Sequence, residues 1–114
     1  MIDFACKKID IADIIMCSHG LSRTEYAVFM ALMGPGGLRS VSEIAASMGL
    51  ERTTVQKALA ALLSKKLTQR RQLNLSGGGY AYRYSALPKE VFRAGLIATI
   101  GGWHKKATEE IAAF

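Results

Sequence analysis

Two stretches of this chain, Ser22-Arg23-Thr24-Glu25 and Ser40-Val41-Ser42-Glu43, have the spacing of a capping box, and an apolar-rich segment follows each. In such a box a serine side chain and a glutamate three residues later satisfy backbone amides that a helix start leaves unpaired. The stops are marked as clearly, by His19-Gly20, by Gly34-Pro35-Gly36-Gly37 and by Gly49. The first half of the chain is thereby held to short helices separated by turns.

The apolar pattern says how those helices sit. Residues 4–17 place Ile9, Ile11, Ile14 and Ile15 among Lys7, Lys8, Asp10 and Asp13, which predicts one amphipathic N-terminal helix. The next helix, to about Met33, is apolar nearly all round through Tyr26, Val28, Phe29, Met30, Leu32 and Met33, and belongs at the centre of the fold. A short helix through Ile44, Ala45 and Met48 turns at Gly49, where positive φ is free of steric cost, into a longer one running from about Arg52 to Lys65. There Val55, Ala58, Leu59, Leu62 and Leu63 form one stripe, leaving Arg52, Thr53, Gln56, Lys57 and Ala60 on the other side.

Leu67 to Leu73 and Tyr80 to Ala86 read as two strands joined by Asn74-Leu75-Ser76-Gly77-Gly78-Gly79. Alternation puts Tyr80, Tyr82 and Tyr84 on one face and Arg83 on the other, and sends the neighbours Arg70 and Arg71 opposite ways. Pro88 suits the first turn of a last helix, where its missing amide would have no partner. Along that helix Ile97, Ile100, His104, Ala107 and Ile111 recur at three-four spacing. With Ile9 and Ile14 of the N-terminal segment, this stripe has no place in a compact core and calls for a second protomer.

Charge then separates the candidate functions. The 114 residues, half of them apolar, suit one compact domain with a net charge of +6. From Arg52 to Lys89 there is no aspartate or glutamate, yet the stretch holds Arg52, Lys57, Lys65, Lys66, Arg70, Arg71, Arg83 and Lys89. Cations confined to one helix and the hairpin behind it suit a nucleic-acid backbone, with polar side chains left to enter a groove. The alternative is an ordinary solvated face.

Other readings have less behind them. The run Val91 to Trp103 is much shorter than the roughly 20 apolar residues of a membrane span, and the first residues lack the basic flank of a secretory signal. Two cysteines are too few for a disulfide scaffold, which makes a reducing cytoplasm the expected setting. On a continuous helix Cys6 and Cys17 would stand about 16 Å apart, too far for an internal bridge, so they are buried thiols or a link between protomers. Ser76-Gly77-Gly78-Gly79 lacks the lysine and following helix of a phosphate loop. The tyrosines at 80, 82 and 84 suit sheet packing better than base stacking. Cys6, Cys17, His19 and His104 offer a poor metal set, and no acid, base and nucleophile are grouped for catalysis, so neither a metal, a cofactor nor an enzyme is expected.

The residues Leu21-Ser22-Arg23-Thr24-Glu25-Tyr26-Ala27-Val28-Phe29-Met30-Ala31-Leu32, Ser42-Glu43-Ile44-Ala45 and Thr53-Thr54-Val55-Gln56-Lys57-Ala58-Leu59, with Leu62 and Lys66-Leu67, resemble the winged helix-turn-helix domain of TrmB-like regulators, a group close to the MarR-like ones. The resemblance spans roughly Leu21 to Phe92. It implies a mainly α winged helix-turn-helix fold with a small β-hairpin, in a prokaryotic transcription regulator that binds operator DNA as a homodimer. It carries DNA contact onto Arg52, Thr53, Thr54, Gln56 and Lys57 of the recognition helix, and onto Arg70, Arg71 and Arg83 of the wing. There are two departures. The chain is too short for the sugar-binding domain of larger TrmB-like proteins, and Lys66 stands where a glycine is usual.

The expected organisation is a dimerising helix over 1–20, a DNA-binding domain over 21–87 and a second dimerising helix over 88–114. Its dimer residues are Ile9, Ile14, Ile97, Ile100, His104 and Ile111. The expected partners are double-stranded DNA and a second copy of the chain, without a membrane. A protein-docking winged helix and a thiol-responsive DNA-binding regulator are the alternatives.

Overall fold

The computed structural model describes all 114 residues, which divide into two compact units, Leu21–Leu87 and Met1–Gly20 with Pro88–Phe114.

In the unit Leu21–Leu87 three helices precede a two-stranded ribbon: α2 Arg23–Met33, α3 Val41–Met48, α4 Arg52–Ser64, β3 Thr68–Asn74 and β4 Tyr80–Ala86. The unit Met1–Gly20 with Pro88–Phe114 holds β1 Ile2–Phe4, β2 Lys7–Ile9, α1 Ile11–His19 and α5 Lys89–Ala113. Mainly helical content with a small hairpin is the class the sequence pattern indicated.

The first predicted box is complete. Ser22 Oγ accepts from the Glu25 amide and Glu25 accepts from the Ser22 amide, both at 3.1 Å. The second is half made. Ser40 Oγ accepts from the Glu43 amide at 3.1 Å, but the Glu43 carboxylate takes the Ser40 hydroxyl at 3.2 Å and the Arg83 guanidinium at 2.8 Å. A charged partner from the wing competes successfully for that carboxylate. At the far end of α3, Gly49 has φ 67 and donates its amide to Ala45, which releases the chain toward α4.

Burial joins the three helices. Val28 and Phe29 of α2, Ile44 of α3, and Val55, Leu59 and Leu62 of α4 are all less than 2 % exposed. Each such side chain contributes about 1.5–3 kcal/mol relative to full exposure. Leu21, Leu67 and Tyr84 close the edges of the same core.

In the ribbon, Thr68 pairs with Ala86, Arg70 with Tyr84, Arg71 with Arg83, and Asn74 with Tyr80. A third segment, with no local mark in the sequence, adds to the ribbon. Arg39 forms an isolated bridge with Tyr84, its amide donating at 2.9 Å and its carbonyl accepting at 2.8 Å, so the segment before α3 flanks β4 on its free side.

The terminal unit corrects the N-terminal prediction. Residues 2–9 form an antiparallel hairpin with Ile2 opposite Ile9, Asp3 opposite Lys8 and Phe4 opposite Lys7. The helix begins only at Ile11 because Asp10, at φ −98 and ψ 175, is its N-cap and shares a capping box with Asp13. An extended cap residue cannot lie inside a helix, and the opposite charges of Asp3 and Lys8 favour strand pairing. Cys6 consequently sits in the hairpin turn and Cys17 on α1, both exposed, rather than buried on one helix. Pro88 stands at the N-cap of α5, one residue before the predicted first turn. Ile15, Phe92 and Leu96 are buried, and the His19 and Phe92 rings lie 5.6 Å apart.

The C-terminal end of α4 is a Schellman motif, with the Lys66 amide on the Leu63 carbonyl and the Leu67 amide on the Leu62 carbonyl, each at 3.0 Å. Its left-handed position is filled by Lys66 at φ 60, a conformation unfavourable for any residue with a Cβ. Lys66→Gly is expected to stabilise the protein by about 0.5–1 kcal/mol in urea denaturation. An unchanged or lower midpoint would show that the lysine carries no backbone penalty here.

Candidate nucleic-acid interface

The outer side of α4 is set by the burial of its inner side. At about 100° per residue, Arg52, Gln56, Ala60, Thr53 and Lys57 fall within one arc of roughly 140°, while Val55, Ala58, Leu59 and Leu62 fill the opposite arc. All five of the first group are exposed and all four of the second are buried. Thr54 differs from the rest of the predicted set. It is half-buried and lines a shallow depression with Ser22, Thr24 and Glu25, toward the start of α2.

Glu51 is the N-cap of α4 but makes no side-chain cap bond, as Pro88 makes none at α5, in contrast to Asp10, Ser22 and Ser40 at the starts of α1, α2 and α3. The first-turn amides beside Arg52 and Thr53 are left to solvent or to an anionic group. Neither Arg52 nor Lys57 makes an ion pair, and no acid lies on their arc. This surface can donate hydrogen bonds from arginine, lysine, threonine and glutamine, and Ala60 at its far end permits close approach.

The ribbon sorts the three wing arginines, which the sequence could not separate. Residues directly opposite in an antiparallel pair share a face, so Arg70 joins Tyr82 and Tyr84 while Arg71 joins Arg83. Arg70 stacks over the Tyr82 ring at 4.0 Å from its centroid, and Tyr80 meets Tyr82 edge to face at 5.3 Å. Arg71 is exposed and makes no ion pair. Arg83 is committed to its own chain, with the Glu43 carboxylate at 2.8 Å and the Leu38 carbonyl at 3.3 Å.

That ion pair has a physical reason. Two arginines face each other across the ribbon, and like charges directly opposite destabilise a sheet unless one is neutralised. Glu43 neutralises Arg83 and ties β4 to α3. Lys65 is likewise held near Glu25, at 3.7 Å, whereas Lys66 is exposed. The cations of the unit Leu21–Leu87 without an ion pair are thereby Arg23, Arg39, Arg52, Lys57, Lys66, Arg70 and Arg71, of which Arg70 is stacked on Tyr82. The only sequence signal for the Glu43 contact was that it is the one acid between Glu25 and Glu51. Its partner, forty residues on, had no local mark.

No three His, Cys, Asp or Glu side chains converge as a metal set, and no helix is long and apolar enough to cross a membrane. A double-mutant cycle of Glu43→Gln and Arg83→Gln should give a coupling of about 0.5–1 kcal/mol, the modest size fitting two half-exposed partners. A coupling indistinguishable from zero would remove the ion pair as a support of the wing.

Comparison with known proteins agrees with this architecture. Two proteins of Methanocaldococcus jannaschii, the uncharacterized MJ1503 and MJ1082, are similar to the chain: MJ1503 is 28% identical over 109 residues, covering 93% of this chain and 82% of the relative, and MJ1082 is 32% identical over 108 residues, covering 95% and 88%. The solved structure of a possible transcriptional regulator from Methanosarcina mazei Go1 superposes with a TM-score of 0.89 at 30% identity, covering 100% of this chain and 96% of that one. A family model described as sugar-specific transcriptional regulator TrmB matches residues 16–90, from the end of α1 to the start of α5. With its three-helix core, its acid-free α4 and its ribbon wing, the chain belongs to the TrmB family of winged helix-turn-helix transcriptional regulators.

Proposed function

We propose that this regulator reads duplex DNA sequence-specifically, with α4 in the major groove, the wing on the backbone, and two copies joined through the unit of the chain termini. The observation that carries the reading is the exposed arc of α4, cationic and polar at its start, free of acid, and tapering to Ala60. Arg52 and Gln56 are the base readers, because arginine offers two donors to guanine and glutamine a donor and acceptor to adenine. Thr53 and Lys57 flank them, and Lys66, Arg70 and Arg71 meet phosphate. Arg83 acts through the wing's position, and Thr54 through the packing of α4 beside α2.

Binding should weaken steeply with salt, with a log-log slope of roughly −4 to −8 if a dimer neutralises five to nine phosphates. Arg52→Ala or Gln56→Ala should flatten base preference by about 1–3 kcal/mol, whereas Arg71→Ala should weaken all duplexes alike. Fluorescence anisotropy on a site drawn from random-sequence selection measures both. A flat salt dependence, or equal losses on selected and random DNA for both kinds of variant, is the contrary result.

The dimer rests on α5. This helix of 25 residues buries only Phe92 and Leu96, and it contains Gly95, Gly101 and Gly102, each costing about 1 kcal/mol in a helix interior. Ile97 and Ile111 are 73% exposed, and Ile100 and His104 are exposed beside them. Such a helix is supported within its own protomer only near its start, and a partner's matching surface would support the rest. Ile9 and Ile14 are half-buried and are the weaker members of the predicted dimer set, while Ile2, Phe4 and Ile11 are exposed. Ile97→Asp with Ile100→Asp should convert a dimer to a monomer in sedimentation equilibrium and abolish preference for palindromic sites. A monomeric wild type, or a dimeric double variant, counts against this interface.

A further inference from the structure

From Gln72 to Tyr82 the wing carries no charged residue, although arginines stand at both ends of that stretch. Its outermost part instead exposes apolar surface: Leu75 is 52% exposed, Tyr80 57% and Leu73 37%. Leu75 is held in place. Its amide donates to the Gly79 carbonyl and its carbonyl accepts from the Gly78 amide, each at 3.1 Å. Gly78 at φ 96 and Gly79 at φ 77 supply the left-handed backbone that this tight closure needs. A leucine whose backbone is fixed at the end of a ribbon and whose side chain is half exposed is a surface open to an occupant.

We infer that the occupant is the minor groove of duplex DNA, into which Leu75 is driven as a wedge against a base step. The inference rests on the DNA-binding reading above and adds a specificity-determining residue to it. Charge complementarity selects this occupant, because Arg70 and Arg71 project from opposite faces of β3 behind the tip. At about 3.3 Å per residue, Arg71 lies roughly 13 Å along the strand from Leu75. A minor groove is about 7.5 Å deep, so with the tip at its floor the backbone of Arg71 stands about 5–6 Å outside the phosphates, a gap that an arginine side chain spans. An acidic protein groove would be met by the arginines but would not require their setback from an uncharged tip.

The geometry also has a consequence for the DNA. A groove about 6 Å wide cannot take a two-stranded ribbon without opening. Opening the groove and pressing an apolar side chain onto a step favours pyrimidine–purine steps, which unstack most easily. Sequence preference thus arises under the wing with no hydrogen bond to a base.

The test uses the full-length protein and a duplex obtained by random-sequence selection, with 2-aminopurine placed at the step beneath the wing. Wild-type protein should raise the 2-aminopurine emission, and Leu75→Ala should not. Leu75→Ala should also lower affinity about tenfold when that step is TA or CA, and less than about twofold when it is a stiff step. Because Leu75 is half-exposed and outside the core, the variant's melting curve should match that of the wild type. Selected-site binding by both proteins with equal emission and equal affinity would overturn the wedge alone. Failure of the wild type to bind any duplex would overturn the parent reading, and the wedge with it.

Discussion

The inward stripe of α4 is the contact on which the winged unit depends. Val55, Ala58, Leu59 and Leu62 are buried against Val28, Phe29 and Ile44, and this burial fixes the rotation of α4 about its own axis. A helix anchored along one arc must present the opposite arc, which here is Arg52, Thr53, Gln56, Lys57 and Ala60. The same packing sets the end of the helix. Leu62 and Leu67 are buried on either side of the Schellman turn, so Lys66 accepts a left-handed backbone to keep both inside.

Electrostatics arranges what packing leaves outside. A unit with so many cations would repel itself if all were free, and it answers with two internal pairs, Lys65 with Glu25 and Arg83 with Glu43. These pairs lie at the joints, the first between α4 and α2 and the second between the wing and α3. Charge is thus withdrawn where elements meet and left free along the outer arc of α4 and on β3. The wing tip is a third kind of surface, uncharged and partly apolar, separated from the cations by half the length of a strand.

The helices of the winged unit were legible because their signals are local. Ser22 with Glu25, the glycines at 34, 36, 37 and 49, and the stripe from Val55 to Leu62 each act within one or two helical turns. The N-terminal segment departs from its apolar pattern for a related reason. Ile9, Ile11, Ile14 and Ile15 fit a helical stripe, but the Asp10 cap and the Asp3–Lys8 pairing divide them between a strand and a helix. Apolar periodicity alone gives no account of a cap that falls in the middle of the pattern.

The amino-acid order by itself determined the short helices, the hairpin with its glycine tip, and the confinement of acid-free charge to residues 52–89, since each follows from neighbours in the chain. The tertiary structure decided which of those charges are free. Arg70, Arg71 and Arg83 are equivalent as letters, yet one stacks on Tyr82, one faces solvent and one is held by Glu43. The same is true of Thr54, drawn beside the start of α2, and of Arg39, bridged to Tyr84. Such outcomes depend on groups far apart in sequence that meet only after the core has closed, and no local spacing encodes them.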